Sequence, residues 1–442
     1  MASIPRDPMP DATLPLWLRG YDYAGQRFEH FQTSVFRTRL LLRPVLVVRG
    51  REAARMFYRP GRFTRVGAMP ATAQTLLQDR GSVQTLSGAA HWHRKQLFLT
   101  LLDEPGRRRL VELMDESWQQ RIGQWQRQQR VVLHDEVQGM LLRAACHWCG
   151  IEVTGDEAEK LTRACAAMIH GAGSVGPEQW RAQWLRQGAE HWARRQIRQF
   201  RRQWGGPVPD SLPQGTPLAR LATHRDLNGE LLSETVAGVE LLNLLRPVVA
   251  VARFVVFAAL ALAAWPEQRR ALRGGEEGAR ERFVQEVRRY YPFFPLIGGR
   301  VRQRFHWRGQ AFEPGAWVVL DLYGSNHDPE LWERPEQFCP ERFRHWQDDG
   351  FSLIPQGGGG VEQGHRCPGE TLTLELLGAA VDWLVGGMEY VLPEQDLSVS
   401  LRRMPALPAS GLVLSEVRAR RFGGECPARP ESPSCPRPPW RG

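Results

Sequence analysis

One cysteine, Cys367, ends a glycine-rich stretch, Ile354-Pro-Gln-Gly-Gly-Gly-Gly-Val-Glu-Gln-Gly-His-Arg-Cys-Pro-Gly369. An apolar run begins at Thr371, so the loop presents a thiol and then turns into a helix. The first N–H groups of a helix have no partner and favour negative charge. That placement predicts a lowered thiol pKa and a thiolate, the form a metal ligand must take. The glycines predict close approach of the backbone to a flat cofactor. Upstream, Glu286-Val-Arg-Arg289 places an acid and a base three residues apart, on one helical face and able to pair. Pro340-Glu-Arg342-Phe343 lies between that pair and the loop. Arg246-Pro247 interrupts the most apolar part of the chain. A buried arginine without a partner is costly, so an anion is expected to meet it.

The elements that must position these groups read as mostly helical. Helical spacing runs through residues 110–127, 131–150, 156–170, 178–204 and 281–291, and a last helix covers 371–385. The longest pattern, 231–264, contains Pro247. Proline has no N–H and clashes with the carbonyl four residues back, here Asn243, which predicts a kink at a cost of about 3 kcal/mol. A hairpin is expected at 39–48, a short helix at 52–57 and strands within 301–322. Residues 1–30 read as an irregular arm, 60–70 as loop and 205–215 as a linker. Residues 423–442 are rich in Pro, Arg, Ser and Gly and cannot bury apolar area, so they read as a disordered tail after a single domain spanning 1–422.

Composition narrows the function. The chain has 442 residues and a net charge of +10. Lys95 and Lys160 are its only lysines, and its arginines are interleaved with acids along the whole length. That distribution argues against a nucleic-acid surface, including on the basic, Trp-rich helix 178–204, which reads as a solvated face. The seven cysteines have no framework spacing. Cys146-His-Trp-Cys149 lacks a second pair for zinc, and His147 is not placed for covalent haem attachment. A reducing, cytoplasmic compartment is expected. The first residues lack the apolar core of a signal peptide. The apolar run 248–264 contains Arg253 and reads as a core helix rather than a membrane span.

The ExxR pair, the Pro-Glu-Arg-Phe stretch and the glycine loop with Cys-Pro-Gly, in this order and spacing, resemble the haem-thiolate cytochromes of the P-450 superfamily. The resemblance covers about residues 10–420. It implies a mainly α fold with small β-sheets: the triangular-prism haem-thiolate cytochrome fold, with haem between a long kinked central helix and the Cys-loop helix. It implies haem b, iron protoporphyrin IX, with Cys367 as the iron's thiolate ligand. Glu286, Arg289 and Arg342 would hold the fold around the loop. Three positions depart from the general pattern. Gln356 and glycines stand where the loop usually carries Phe, and His365 stands where it usually carries Arg. Arg246-Pro247 replaces the acid–alcohol pair that delivers protons to iron-bound dioxygen in monooxygenases.

That replacement, with Gly-His-Arg-Cys-Pro-Gly and Phe283-Val-Gln-Glu-Val-Arg-Arg-Tyr-Tyr-Pro292, is similar to the bacterial fatty-acid peroxygenases of the superfamily. By this resemblance Arg246, beside Pro247, binds a long-chain fatty acid's carboxylate, which serves as the acid–base group for H2O2. No reductase is then required. His91, Lys95 and His365 would contact the cofactor, the first two at its propionates. Relatives that decarboxylate fatty acids to terminal alkenes carry His where this chain has Gln84, so hydroxylation at the α or β carbon is expected. Phe294 is bulky where relatives tend to have glycine, which implies a narrower pocket. A redox-partner-dependent monooxygenase is the alternative that Arg246-Pro247 argues against.

Overall fold

The computed structural model describes residues 4–77, 81–204, 215–362 and 364–420. The expected tail at 423–442 and nearly all of the expected linker at 205–215 lie outside the described residues. The architecture is mainly helical with three small sheets of five, three and two strands, in agreement with the fold class expected from the sequence.

A central helix in two segments, Glu234–Ala250 and Ala252–Ala264, runs through the largest hydrophobic cluster. Ser233 caps it, accepting a hydrogen bond from the Val236 N–H at 3.2 Å. By length and composition this helix is apolar enough to cross a membrane, yet 83% of its most apolar window is buried inside the protein. Helices pack on all its sides, so its residues are apolar all round. The helix runs through Pro247, where a kink was expected, and is divided one turn later, at Val251. The Val251 N–H bonds to Val248 O at 3.1 Å, which shortens the register just past the proline. Pro247 inside the helix has no N–H to give the Asn243 carbonyl.

The remaining helices follow the sequence pattern closely: Glu104–Trp125, Leu133–Trp148, Gly155–Gly171, Pro177–Trp204, Ala279–Tyr290 and Glu370–Asp382. Cys146 and Cys149 are buried free thiols at the end of one of them. The five-stranded sheet has the order Val35–Leu40, Arg43–Val48, Trp317–Asp321, Leu296–Val301, Phe63–Thr64. Trp317–Asp321 is buried at every position, as suits a central strand covered on both faces.

Two readings are corrected. The segment 1–30, expected as an irregular arm, contains among its described residues helix Thr13–Arg19 and most of helix Asp22–Phe31. The first points Leu14, Trp17 and Leu18 outward, which hides its amphipathic period. Within the expected loop region and just beyond it lie the short strand Phe63–Thr64 and a helix, Ala71–Leu77.

Candidate cofactor site

The loop ending on Cys367 approaches the central helix across a cavity of about 130 Å³. Cys367, Pro368, Gly369 and Leu372 line it from the loop and the following helix. Asn243, Leu244, Pro247, Val248 and Val251 line it from the central helix. Several glycines of the loop lie close against the Tyr58 side chain. A Cβ on Gly358 would come within 2.8 Å of Gly350 O and 3.0 Å of the Tyr58 ring. Their smallness therefore lets the loop seat closely on Tyr58. Burial raises the Cys367 thiol pKa, with Glu370 adding to it, while the Gly369 N–H, Lys95 and Arg288 pull the other way. Desolvation thus outweighs the helix-terminus effect expected from the sequence. A coordinated metal deprotonates a thiol outright, and that is the state this sulfur is placed for.

Basic side chains gather at one edge of the cavity. The His91 and His365 rings lie 4.1 Å apart between centroids, and Lys95 is buried one helical turn from His91. Lys95 Nζ donates to Gly364 O and, at 2.8 Å, to Arg366 O. Arg65, buried over the Phe57 ring at 4.6 Å, faces both imidazoles. Burial lowers His91 to about 4, with Lys95 and Arg65 adding to it. Burial also lowers His365 to about 2 and Lys95 to about 8. Among the described residues, no carboxylate forms an ion pair with any of these four. Buried charge normally comes paired, so the cluster fits an acidic group brought by a ligand. The two propionates of a haem, lying beside an apolar slot that ends on a cysteine, meet that requirement. Arg65 was not anticipated, because it stands alone in a loop without a motif.

Arg246 is buried on the central helix, but its guanidinium does not line the cavity. The expectation that an anion must meet it is modified by what surrounds it. Nη1 donates to Leu76 O at 2.9 Å, and Nη2 donates to Leu77 O and, at 2.9 Å, to Asn243 Oδ1. These oxygens use only part of its donor set. Burial, with Arg186 adding to it, pushes its pKa down to about 9. Asn243 also donates to Glu240 Oε2 at 2.9 Å, and Glu240 Oε1 accepts from Arg94 Nη1 at 2.8 Å and from the Val83 N–H at 2.9 Å. One buried carboxylate therefore ties the central helix to the segment carrying Gln84, which does line the cavity. The i, i+3 spacing of Glu240, Asn243 and Arg246 was the available sequence signal for this chain of contacts. Phe294 is 39% exposed and lies outside the lining, so its position does not support the expected narrowing. Its neighbour Phe293 is buried against Phe254, at 4.4 Å.

On the far side of the loop, Glu286 and Arg289 are fully buried and joined by two 2.7 Å hydrogen bonds. Arg289 also donates to Asn326 O, Pro335 O and Gln337 O, at 3.1, 2.9 and 3.0 Å. Glu286 accepts from the Cys339 N–H at 2.7 Å and pairs with Arg342 at 3.2 Å. Gln356 continues the connection to the cysteine. Its backbone O accepts from the Cys367 N–H at 3.2 Å, and its side chain accepts from Arg288 at 3.1 Å.

A family model described as Cytochrome P450 matches residues 281–392. The chain is 34% identical over 115 residues to Rhazimal synthase of Alstonia scholaris, covering 23% of this chain and 22% of that protein. It thus spans about a fifth of the length of the curated relatives it matches. Solved structures match over nearly the whole chain. Cytochrome P450EX alpha (CYP152N1) with myristic acid is 38% identical with a TM-score of 0.90, covering 95% of this chain and 100% of that one. Cytochrome P450SP alpha (CYP152B1) in complex with (R)-ibuprophen is 41% identical with a TM-score of 0.88, covering 94% and 100%.

Proposed function

The chain belongs to the cytochrome P450 family, alongside CYP152 members, with a cysteine-ligated haem iron as cofactor, and we propose that it is an H2O2-dependent peroxygenase of long-chain fatty acids. The reaction inserts one peroxide oxygen at the α or β C–H bond and releases the other as water. One observation carries this reading. The central helix lines the cavity with Asn243, Leu244, Pro247, Val248 and Val251, among which there is neither a carboxylate nor a hydroxyl. On this reading the group that handles the peroxide protons arrives with the substrate.

Arg246 is the residue for that group. A carboxylate can take charge-assisted N–H bonds from the donors that Leu76 O, Leu77 O and Asn243 Oδ1 leave over, while those oxygens keep the guanidinium oriented. The bound carboxylate accepts a proton from H2O2 and returns it to the leaving oxygen. The haem, when bound through Cys367, supplies the O–O cleavage and the oxidation of carbon, helped by electron donation from the thiolate. A pinned head group leaves the α and β carbons nearest the reacting centre. Leu244, Val248 and Val251 keep that space dry, and tail burial at about 0.8 kcal/mol per CH2 favours long chains. Both structural neighbours named above hold a carboxylic acid, which supports the substrate class. Gln84 at the cavity wall favours hydroxylation over decarboxylation. On this reading no reductase takes part and the enzyme works in the cytoplasm. The test is product analysis of the purified holoprotein with myristate and H2O2. Hydroxymyristate without a reductase is expected, and turnover that requires NADPH and a redox partner contradicts the proposal.

A further inference from the structure

The outward face of the N-terminal helix and the neighbouring hairpin tip form a surface that the reaction does not use. Leu14, Trp17 and Leu18 share one face of helix Thr13–Arg19 and are 60%, 44% and 51% exposed. Leu41 and Leu42, 51% and 77% exposed, form the turn between strands Val35–Leu40 and Arg43–Val48. The two groups are fastened together. The Leu41 N–H donates to Thr13 Oγ1, and the Leu42 N–H donates to Asp11 Oδ2, each at 2.6 Å. Scattered exposed leucines need no explanation, but contiguous ones do. Both turn leucines also have left-handed backbones, with φ of 52° and 61°. Glycine or asparagine takes that conformation at least cost, and bulky residues avoid it.

The rim of this patch is basic. Arg19, Arg37, Arg39 and Arg43 are all exposed, and among the described residues none of them forms an ion pair. Asp11, the acid beside Arg39, is occupied in holding the turn. Arginines alternating along an edge strand could serve only to block edge-to-edge pairing. That role does not account for two leucines held outward at the tip.

We infer that this surface docks on an anionic lipid bilayer, with Leu41, Leu42 and Trp17 entering the interface and the arginines meeting headgroup phosphates. Apolar insertion combined with basic residues is the pairing that gives reversible membrane attachment. The inference does not depend on which reaction the haem site performs.

The experiment sediments the holoprotein with vesicles of phosphatidylcholine alone and of phosphatidylcholine mixed with phosphatidylglycerol. The protein is expected to sediment with the mixed vesicles and to be released by salt. Replacing both turn residues, Leu41→Gly and Leu42→Gly, removes the side chains while suiting the left-handed backbone. That variant should keep its absorption spectrum and unfolding midpoint and bind at least about tenfold more weakly. Should it fail to fold, Arg39→Gln with Arg43→Gln tests the same surface through loss of the phosphatidylglycerol preference. Wild-type protein that stays in the supernatant, or a glycine variant that binds equally well, overturns the inference. So does a wild-type dimer that the glycine variant dissociates in the absence of vesicle binding, since the patch would then serve a second copy of the chain.

Discussion

Around Glu286 every buried charge has a partner, whereas around His91 three buried bases and the half-buried His365 form no ion pair with a carboxylate among the described residues. The first cluster, Glu286 with Arg289 and Arg342, is closed: its donors end on one carboxylate and on loop carbonyls. The second, Arg65, His91, Lys95 and His365, holds its bases near one another under burial that lowers the pKa of each imidazole. Both lie near the cysteine loop, but only the first includes a carboxylate of its own. The difference teaches that pairing, rather than charge, separates a structural knot from a ligand cradle.

That contrast can be broken by substitution. The largest effect is expected at the closed cluster. Glu286→Gln leaves Arg289 buried and uncompensated, which should cost about 3–5 kcal/mol. Urea unfolding of the apoprotein measures it, and a loss below about 1 kcal/mol would dissolve the distinction. The open cluster should respond with opposite signs in its two states. His91→Leu removes a desolvated base that has no acidic partner, so the apoprotein should be at least as stable as the wild type. Haem loss from the holoprotein should accelerate by about tenfold or more, corresponding to one charge-assisted contact of about 1.5–3 kcal/mol. An apoprotein destabilised along with haem retention would instead make His91 structural.

Smaller effects sharpen the comparison. Arg342→Ala, at the edge of the closed cluster, should cost about 1–3 kcal/mol in both states, again read from urea unfolding. The apoprotein should also respond to pH through His91. Its folded value of about 4 lies below the usual 6.5, so the unfolded chain binds more protons between those values. Stability contributed by the neutral imidazole is therefore present above pH 6.5 and lost as pH falls towards 4. His91→Leu should flatten that part of the apoprotein's pH–stability profile, and an unchanged slope would assign it to other groups.

Much of the site was legible because its signals are local. Cys367 with its glycine loop, and Glu286 with Arg289, are each defined within a few residues. The long helices were legible because burial on one face imposes a period. What was missed depends on distant contacts or inverted patterns. The carbonyls that hold Arg246 come from Leu76 and Leu77, about 170 residues upstream, on a short helix with no strong period. Arg65 is fixed by tertiary packing over Phe57 and by Gly298 O. The N-terminal helix shows its leucines to solvent, against the rule that finds helices in sequences. Pro247 was read correctly as a helix breaker, but the register absorbs the defect one turn later, at Val251.

The central claim is that the substrate's carboxylate, held by Arg246, does the proton work for which the central helix offers no carboxylate or hydroxyl at the cavity. Its most direct test is single-enzyme product analysis of Arg246→Ala beside the wild type, with myristate and H2O2 and with the haem spectrum recorded on both. Hydroxymyristate from the wild type, an unaltered haem spectrum in the variant, and a fall in its turnover of at least about 100-fold are the predicted results. A variant that keeps both its haem spectrum and its turnover of myristate would contradict the account.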